Sequence, residues 1–267
     1  MWIFCGGMHR SGSTLQFQLT AHLVEAAGRG RRVEWAPADE FPRVREASRG
    51  EPGWKVFKTH HCTPAVAAEF AARNARGVYI FRDVRDVVVS RVRISGRSFD
   101  AVWARALDRA LAAFDQWTRL ADVLVSRYET VVGDVAAEVA RIATHLALDV
   151  DRRECERIAA AYAPARQEER IREAVAAGRL RPGPGGRLFD PVSNLHVNHI
   201  GSGRSGDWRT ALSAEELALV EGRARRWLTA NGYPLALGRW RRALLARRYV
   251  WRHHPRPRRR PDGRPDP

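Results

Sequence analysis

Two side chains that could handle a proton and a negative charge stand close together in the segment KTHHC, residues 58–62. Lys58 is a cation and His60 a titratable base, and in extended backbone residues two positions apart point to the same side. An apolar run at residues 54–58 leads into them, and strand carboxyl ends border the ligand crevice of open α/β sheets. The pair predicts one wall of a ligand site, although a buried histidine beside a surface lysine would give the same pattern.

A glycine-rich segment, GGMHRSGSTL (residues 6–15), follows another apolar run and is typical of a loop that cradles phosphate. It fits the pattern G-x-x-x-x-G-K-[ST], except that Ser13 stands at the lysine position. Backbone N–H groups at the start of a helix bind phosphate without any side chain. We expect a helix from about Gly12, with Arg10 supplying the positive charge, and the hydroxyls of Ser13 and Thr14 as further donors.

A third segment, YIFRDVRDVVVSRVR (residues 79–93), places an arginine and a hydroxyl on consecutive elements. Arg82 ends a predicted strand, and Ser90 follows it by eight residues, two turns into a predicted helix. An arginine and a hydroxyl can jointly hold a phosphate monoester. The alternative interpretation is a solvated first turn of a helix.

The fourth segment, GSGRSGDWRTALS (residues 201–213), combines flexible backbone with anion donors. Arg204 and Arg209 are the donors, and Trp208 offers a flat face. Taken alone, a glycine-rich hairpin explains this segment equally well.

Together, and in this order, the four segments resemble the sulfotransferase superfamily, whose members move a sulfuryl group from 3′-phosphoadenosine 5′-phosphosulfate (PAPS) to a hydroxyl or amine. HRSGST resembles the 5′-phosphosulfate loop, P-K/R-S-G-T-T, and KTH matches the family's K-T-H step. Residues 82–90 match the 3′-phosphate motif, R-D-P-R-D-x-x-x-S, with Val84 in place of proline. Residues 203–209 match the late loop, G-x-x-G-D-W-K, and the resemblance covers roughly residues 2–230.

Two departures from the family pattern bear on the branch and on the donor site. His9 replaces the proline before the loop's basic residue, and Gly201 and Ser202 replace the Arg-Lys pair of many cytosolic members. Arg204 would then substitute for that pair. Both changes resemble the bacterial and carbohydrate-type branches more than the small-phenol and steroid enzymes.

The resemblance also implies roles for individual side chains. Lys58 would neutralise charge on the leaving oxygen, and His60 would take the acceptor's proton. Glu40, about 30 residues after Arg10, is the alternative base, because some carbohydrate-type members use a glutamate in that region; His61 is a lesser candidate. The residues expected to bind PAPS are Arg10, Ser11, Gly12, Ser13, Thr14, Arg82, Ser90, Tyr128, Gly203, Arg204 and Trp208.

Short apolar runs that alternate with helical periodicity predict an α/β fold, a P-loop-like central parallel sheet flanked by helices in a single domain over residues 1–234. The clearest helices are residues 99–120 and the segment after Ser213, which forms a capping box with Glu216. Residues 179–210 lack periodicity and predict a functional lid or mobile segment. The predicted strands are residues 2–5, 33–35, 54–58, 78–81 and 122–125.

The net charge of +16 is concentrated toward the end of the chain, in the arginine- and proline-rich residues 235–267. We expect this tail to be partly disordered and solvated, with contact to a membrane surface or a polyanion as the alternative. Two rival functions therefore stay open: a non-catalytic polyanion or membrane-surface binder, and a P-loop kinase-like phosphotransferase. A kinase-like phosphotransferase would require a lysine at the position of Ser13.

Several broader expectations follow from composition. No apolar stretch reaches the roughly 20 residues that cross a bilayer, so we expect a cytoplasmic protein, with the inner face of the membrane as a peripheral site. The three cysteines are dispersed, and His196 and His199 lack ligand companions, so we expect no bound metal. We expect a glycan or small-molecule acceptor, with a sugar hydroxyl of a glycan or glycolipid preferred over a secondary metabolite, and no specific nucleic acid.

Overall fold

The structure, a computed structural model, divides by its internal contacts into two units. The first comprises Met1–Arg82 and Ala110–Arg204, and the second comprises Asp83–Arg109 and Ser205–Pro267. The residues that it describes are 1–183, 186, 188–191, 193–197 and 204–253.

The first unit is built on a five-stranded sheet. Its strands are β1 (Trp2–Gly7), β2 (Gly30–Arg32), β3 (Trp54–Lys58), β4 (Ala75–Phe81) and β5 (Val123–Arg127). They are all parallel and lie in the order β2-β3-β1-β4-β5. β1 is buried along its whole length, because both faces of a parallel sheet are covered in α/β proteins. The predicted α/β class with a central parallel sheet is confirmed.

The register of the sheet brings three strand ends to one edge. Cys5 of β1 pairs with Lys58 of β3, and Gly7 of β1 pairs with Ile80 of β4. The loops that follow β1, β3 and β4 therefore leave the same edge side by side. Since β1 has the later strands β3 and β4 on opposite sides, this edge is a topological switch point, where open α/β sheets bind ligands.

Helices complete both units. The structure describes α1 (Ser13–Ala26), α2 (Phe41–Ala47), α3 (Pro64–Ala71), α4 (Val84–Ser95), α5 (Trp103–Thr118), α6 (Tyr128–Gly133), α7 (Val135–Leu146), α8 (Arg152–Ala161), α9 (Pro164–Ala176), α10 (Trp208–Ala211), α11 (Ala214–Ala230) and α12 (Arg239–His253). Within the described ranges, no helix is both long enough and apolar enough to cross a bilayer.

Two layers of apolar side chains hold the sheet of the first unit. On one face, Phe17 of α1 and Ile142 of α7 join a buried cluster that includes Ile3 and Val78. A separate group of aromatic rings packs around Phe4, which is fully buried. Burying one such side chain stabilises the fold by roughly 1.5–3 kcal/mol. The rings that contact Phe4 are those of Trp2, Phe41, Phe57 and Phe70.

The second unit has an apolar cluster of its own, to which helix α11 contributes. Hydrogen bonds of two side chains fix the start of α11. The hydroxyl of Ser213 accepts from the backbone N–H of Glu216, and the Glu216 carboxylate accepts from the backbone N–H of Ser213. This is the predicted capping box, and it fixes the first turn of α11. The buried members of the cluster are Val89, Trp208, Leu217, Ala218 and Leu237.

Residues 239–253, which we expected within a partly disordered tail, form helix α12. Tyr249 is 5% exposed, and its hydroxyl donates to Asp100 Oδ1 at 2.7 Å. Its ring also lies edge-on to Phe99. The expectation of disorder is corrected for this part of the tail, because a buried aromatic ring anchors the helix. Residues 254–267 lie outside the described residues.

Two other predictions change in detail. The strand predicted at residues 33–35 lies at Gly30–Arg32, where a Cβ on Gly30 would meet the Trp54 carbonyl oxygen at 2.0 Å. An apolar run is a poor guide to this strand because, at the edge of the sheet, it does not need apolar side chains on both faces. Residues 179–210 contain the short antiparallel strands β6 (Arg181–Pro182) and β7 (Leu188–Phe189).

Candidate active site

The loop between β1 and α1 has a backbone that depends on glycine. Gly12 has φ 85°, and a Cβ there would meet Tyr128 Cδ2 at 2.9 Å. Arg10 adopts φ 71°, a conformation that L-residues rarely occupy and that clusters at functional sites. The Ser11 hydroxyl lies 2.7 Å from the Met8 carbonyl and 3.0 Å from the Ile80 carbonyl. The Ser11 side chain therefore fastens the loop to β4, and a contact from it to PAPS stays a prediction.

The loop leads into a helix start that suits an anion. Helix α1 has Gly12 at its N-cap, no side-chain cap and no acidic residue in its first turn. The first-turn N–H groups of a helix have no acceptor within the helix and lie at the positive end of its dipole. Ser13 and Thr14 stand in this turn, 5% and 2% exposed. The prediction of an anion-binding loop without a P-loop lysine fits this geometry.

The cation of this site comes from β3 instead. Lys58 is 7% exposed, and its ammonium donates to the Thr14 hydroxyl at 2.5 Å. Burial lowers the pKa of Lys58 to about 7, with the nearby charge of Arg10 as a smaller cause in the same direction. An anion bound beside it would favour the ammonium form and raise this pKa again.

His60 is held in one tautomer. Its Nδ1 lies 2.8 Å from the Gly7 carbonyl oxygen, which can only accept, so Nδ1 carries the proton. Burial lowers the pKa of His60 well below its usual value, and the neighbouring His9 and Lys58 add to this. The neutral ring then has its lone pair on Nε2, as a general base requires. His61, the lesser candidate, is exposed.

Arg82 and Tyr128 connect the third segment of the sequence (residues 79–93) to the first (residues 6–15). Arg82, at the end of β4, is 8% exposed and donates from Nη1 to the Arg10 carbonyl at 3.4 Å. Its guanidinium carbon lies 4.5 Å from the centre of the Tyr128 ring, and that ring covers Gly12. Nη2 donates to the Arg204 carbonyl at 2.6 Å. The structure thus brings together the predicted residues Arg10, Gly12, Arg82, Tyr128 and Arg204.

In the second unit, Asp86 joins the third segment to the fourth. Its carboxylate accepts from the backbone N–H groups of Gly206 at 2.7 Å and Trp208 at 3.0 Å. Sequence reasoning did not count this residue, which is 2% exposed, among the site residues. Its place in the match to the R-D-P-R-D motif was the available signal.

A buried ion cluster supports the same turn of α4. Arg85, 1% exposed, pairs with Asp83 and Glu221, each at 2.8 Å. A buried charge is tolerated only where it is paired and hydrogen-bonded. The start of α4 is therefore a buried anchor, which rules out the solvated first turn considered from the sequence.

Trp208 departs from its predicted role. It is 4% exposed within the apolar cluster of the second unit, and the Arg85 and Arg209 guanidinium carbons lie 3.9 and 4.4 Å from its ring centre. This corrects the expectation of a flat face offered to PAPS, because protein groups already cover the ring.

Three further residues were predicted to belong to the site: Ser90, Glu40 and Gly203. Ser90 lies in α4, partly exposed. Glu40 ends a 3-10 turn before α2 and pairs with Arg43 at 2.5 Å, with 43% of its side chain exposed. Gly203 lies outside the described residues. Among the residues that the structure describes, no group of three or more metal-ligating side chains is found.

The arrangement in the first unit fits a doubly phosphorylated ligand and proton transfer. It combines an uncapped helix start, two buried cations and a neutral imidazole whose lone pair is on Nε2. Positioned cations and N–H groups are what group transfer between oxygens requires.

Comparisons with known structures agree with this fold. The structure of retinol dehydratase in complex with androsterone and the inactive cofactor PAP is 18% identical, with a TM-score of 0.56 over 89% of this chain and 82% of that one. The structure of mouse sulfotransferase SULT7A1 complexed with PAP is 14% identical, with a TM-score of 0.57 over 87% and 89%. No curated protein matches the chain in sequence.

The sequence also matches the model of a protein family. The model of the sulfotransferase domain matches residues 6–229, nearly the range over which the four segments resemble that superfamily. The prediction of a sulfotransferase is confirmed, and the bacterial and carbohydrate-type branch stays a prediction. The chain belongs to the sulfotransferase domain family.

Proposed function

We propose that this protein transfers a sulfuryl group from PAPS to a hydroxyl of a small-molecule or glycan acceptor. The observation that carries the proposal is the set of contacts among Gly12, Tyr128, Arg82 and Arg10. These contacts join two anion-binding segments at one edge of the sheet. PAPS has a phosphate at each end of its ribose, and two such segments are what it needs.

The residues of the loop would hold the donor. The first-turn amides of α1, with Arg10 and Thr14, take the 5′-phosphate, and Arg82 takes the 3′-phosphate. Sulfuryl transfer resembles phosphoryl transfer in being loose and in line, so positioning and charge stabilisation supply most of the catalysis. A metal-bound triphosphate is not needed for it.

Lys58 and His60 would perform the chemistry. The sulfur–oxygen bond to the 5′-phosphate breaks as a bond to the acceptor oxygen forms, and Lys58 stabilises the charge left on the phosphate oxygen. His60 Nε2 takes the acceptor proton and later passes it to solvent. The products are the sulfate ester and 3′-phosphoadenosine 5′-phosphate (PAP).

We favour His60 over Glu40 as the base. The bond to Gly7 fixes the required tautomer, and the lowered pKa keeps the ring neutral at pH 7. The Glu40 carboxylate is engaged by Arg43. The Nε2 lone pair that this tautomer leaves on the ring supports His60.

The identity of the acceptor is a finer proposal. Retinol dehydratase and SULT7A1 share only the fold, so the androsterone of the former does not define the acceptor here. We retain a sugar hydroxyl of a glycan or glycolipid, which suits a basic protein at an anionic surface. We also propose a cytoplasmic location, in part peripheral to the inner face of the membrane.

A thermal-shift titration with PAP, AMP and ATP–Mg²⁺ tests the donor. A ligand at 100 times its Kd stabilises the native state by about 2.7 kcal/mol. We expect selective stabilisation by PAP. Stabilisation by ATP–Mg²⁺ alone would favour a phosphotransferase, and no response to any nucleotide would favour a non-catalytic binder.

A further inference from the structure

The outward face of α12 carries large apolar side chains in water. Trp240 is 80% exposed, Leu244 67%, Val250 50% and Trp251 77%. Exposed apolar residues scattered singly are ordinary, but a contiguous patch indicates an interaction site. These four residues belong to one helix of 15 residues.

The four side chains lie on one side of the helix. At about 100° per residue, Trp240, Leu244 and Trp251 lie within about 40° of one another around the helix axis, and Val250 lies about 80° to one side of Trp240. The opposite side is the one that is packed, since Tyr249 is buried and Leu245 joins the apolar cluster. We call Trp240, Leu244, Val250 and Trp251 the apolar stripe of α12.

Arginines border this stripe. The helix has six arginines and no acidic residue. Arg241, Arg248 and Arg252 follow one edge of the stripe at about 80–120° on the same projection. Arg248 and Arg252 pair with Glu215, at 3.0 and 3.2 Å, while 60% and 50% of their side chains stay exposed. Arg247 is exposed within the arc of the stripe itself.

A helix with tryptophan and leucine on one face and arginine beside it is suited to the interface of a lipid bilayer. Its apolar face enters the boundary between headgroups and acyl chains, and its cations contact anionic headgroups. Each basic residue near an anionic leaflet adds about 1 kcal/mol. Indole rings favour the same depth.

We propose that the apolar stripe of α12 docks the protein on an anionic phospholipid surface. Charge complementarity selects this occupant, since the chain carries a net charge of +16. A second copy of the chain would bring two arginine-rich helices together, with like charges opposed. A nucleic acid would use the arginines but leave Leu244 and Val250 without apolar contact. The proposal does not depend on sulfuryl transfer.

Cosedimentation of the full-length protein with vesicles provides the test. Vesicles of phosphatidylcholine are compared with vesicles that contain about 30% phosphatidylglycerol, at low and high salt. We expect binding to the anionic vesicles that weakens with salt. The double variant Trp240→Ala/Trp251→Ala should lower the partition coefficient at least about tenfold, because it removes two interfacial anchors.

Val175→Ser is the matched control, because Val175 is a 50% exposed apolar residue on α9. It should bind as the wild type does, and all variants should keep the wild-type melting temperature and PAP affinity. Equal binding of wild type and the tryptophan variant would overturn the proposal, as would absence of binding to anionic vesicles. Light scattering that shows a dimer in wild type and a monomer in the variant would assign the stripe to self-association and also overturn it.

Discussion

The ammonium of Lys58, at the end of β3, donates to the hydroxyl of Thr14 in the first turn of α1, across 2.5 Å. The cation that a phosphate-binding loop usually carries within its own sequence thus arrives from a neighbouring strand. The register that pairs Cys5 with Lys58 makes this possible. Its charge depends on pH, because burial lowers the pKa of Lys58 to about 7.

PAP affinity should therefore fall as the pH rises above about 7. Below that pH the free protein already carries the ammonium, and above it PAP must recruit a proton to Lys58. The affinity should drop by up to about tenfold per pH unit until the raised pKa of the complex is reached. Calorimetry between pH 6 and 9 measures this. Lys58→Arg, charged throughout, should bind PAP with little pH dependence, and a flat wild-type profile would refute the role of Lys58.

His60→Ala should lower kcat by about 100-fold or more, with PAP affinity nearly unchanged, because the base acts on the acceptor's proton. Steady-state assays of sulfate transfer and PAP titrations separate the two effects. Glu40→Gln is the matched variant and should retain turnover. Loss of turnover in Glu40→Gln with near-normal His60→Ala would reverse the assignment.

Gly12→Ala should abolish measurable PAP binding. The new methyl would lie 2.9 Å from the Tyr128 ring, in a left-handed conformation that costs about 1–2 kcal/mol for an L-residue. Gly28→Ala is a close control, because Gly28 also has positive φ, but among the described residues no atom beyond its chain neighbours lies within 4 Å of the added Cβ. It should lose stability and keep PAP affinity. If Gly12→Ala binds PAP normally, the loop is not the phosphate site.

Asp86→Asn should destabilise the protein by about 1–3 kcal/mol, because a buried amide cannot replace a carboxylate that accepts two N–H groups. Urea unfolding measures the change. Asp108→Asn is the control, since its pair with Arg223 spans 2.7 Å between side chains that are about half exposed and should be worth at most about 1 kcal/mol. Equal effects of the two variants would show that Asp86 does not anchor the loop.

The sequence predicted the parts of the site that depend on local pattern. Lys58 ends a strand and Gly12 and Arg82 follow strands, and the parallel sheet brings the ends of those strands to one edge. The fold class, most strands and the capping box of α11 followed from periodicity and from residue type.

Long-range partners could not be predicted in this way. The pairing of Arg85 with Glu221 joins residues 136 positions apart, and nothing in either segment indicates it. The role of Trp208 could not be predicted either, because the same indole ring can stack on a ligand or on the guanidinium group of an arginine. The helix at residues 239–253 was not predicted, because the many arginines of the tail indicated solvated chain and the burial of Tyr249 depends on distant residues.

The central claim is that Arg82 binds the 3′-phosphate of the nucleotide, while the loop around Gly12 binds the 5′-phosphate. Calorimetric Kd values for PAP and AMP in wild type and Arg82→Lys test it most directly, with melting temperatures to verify folding. We predict that wild type prefers PAP over AMP by at least about 100-fold, as expected for a charge-assisted arginine–phosphate contact, and that Arg82→Lys loses most of this preference with AMP affinity preserved. Equal affinities for PAP and AMP in wild type, or an unchanged preference in the variant, would contradict the account.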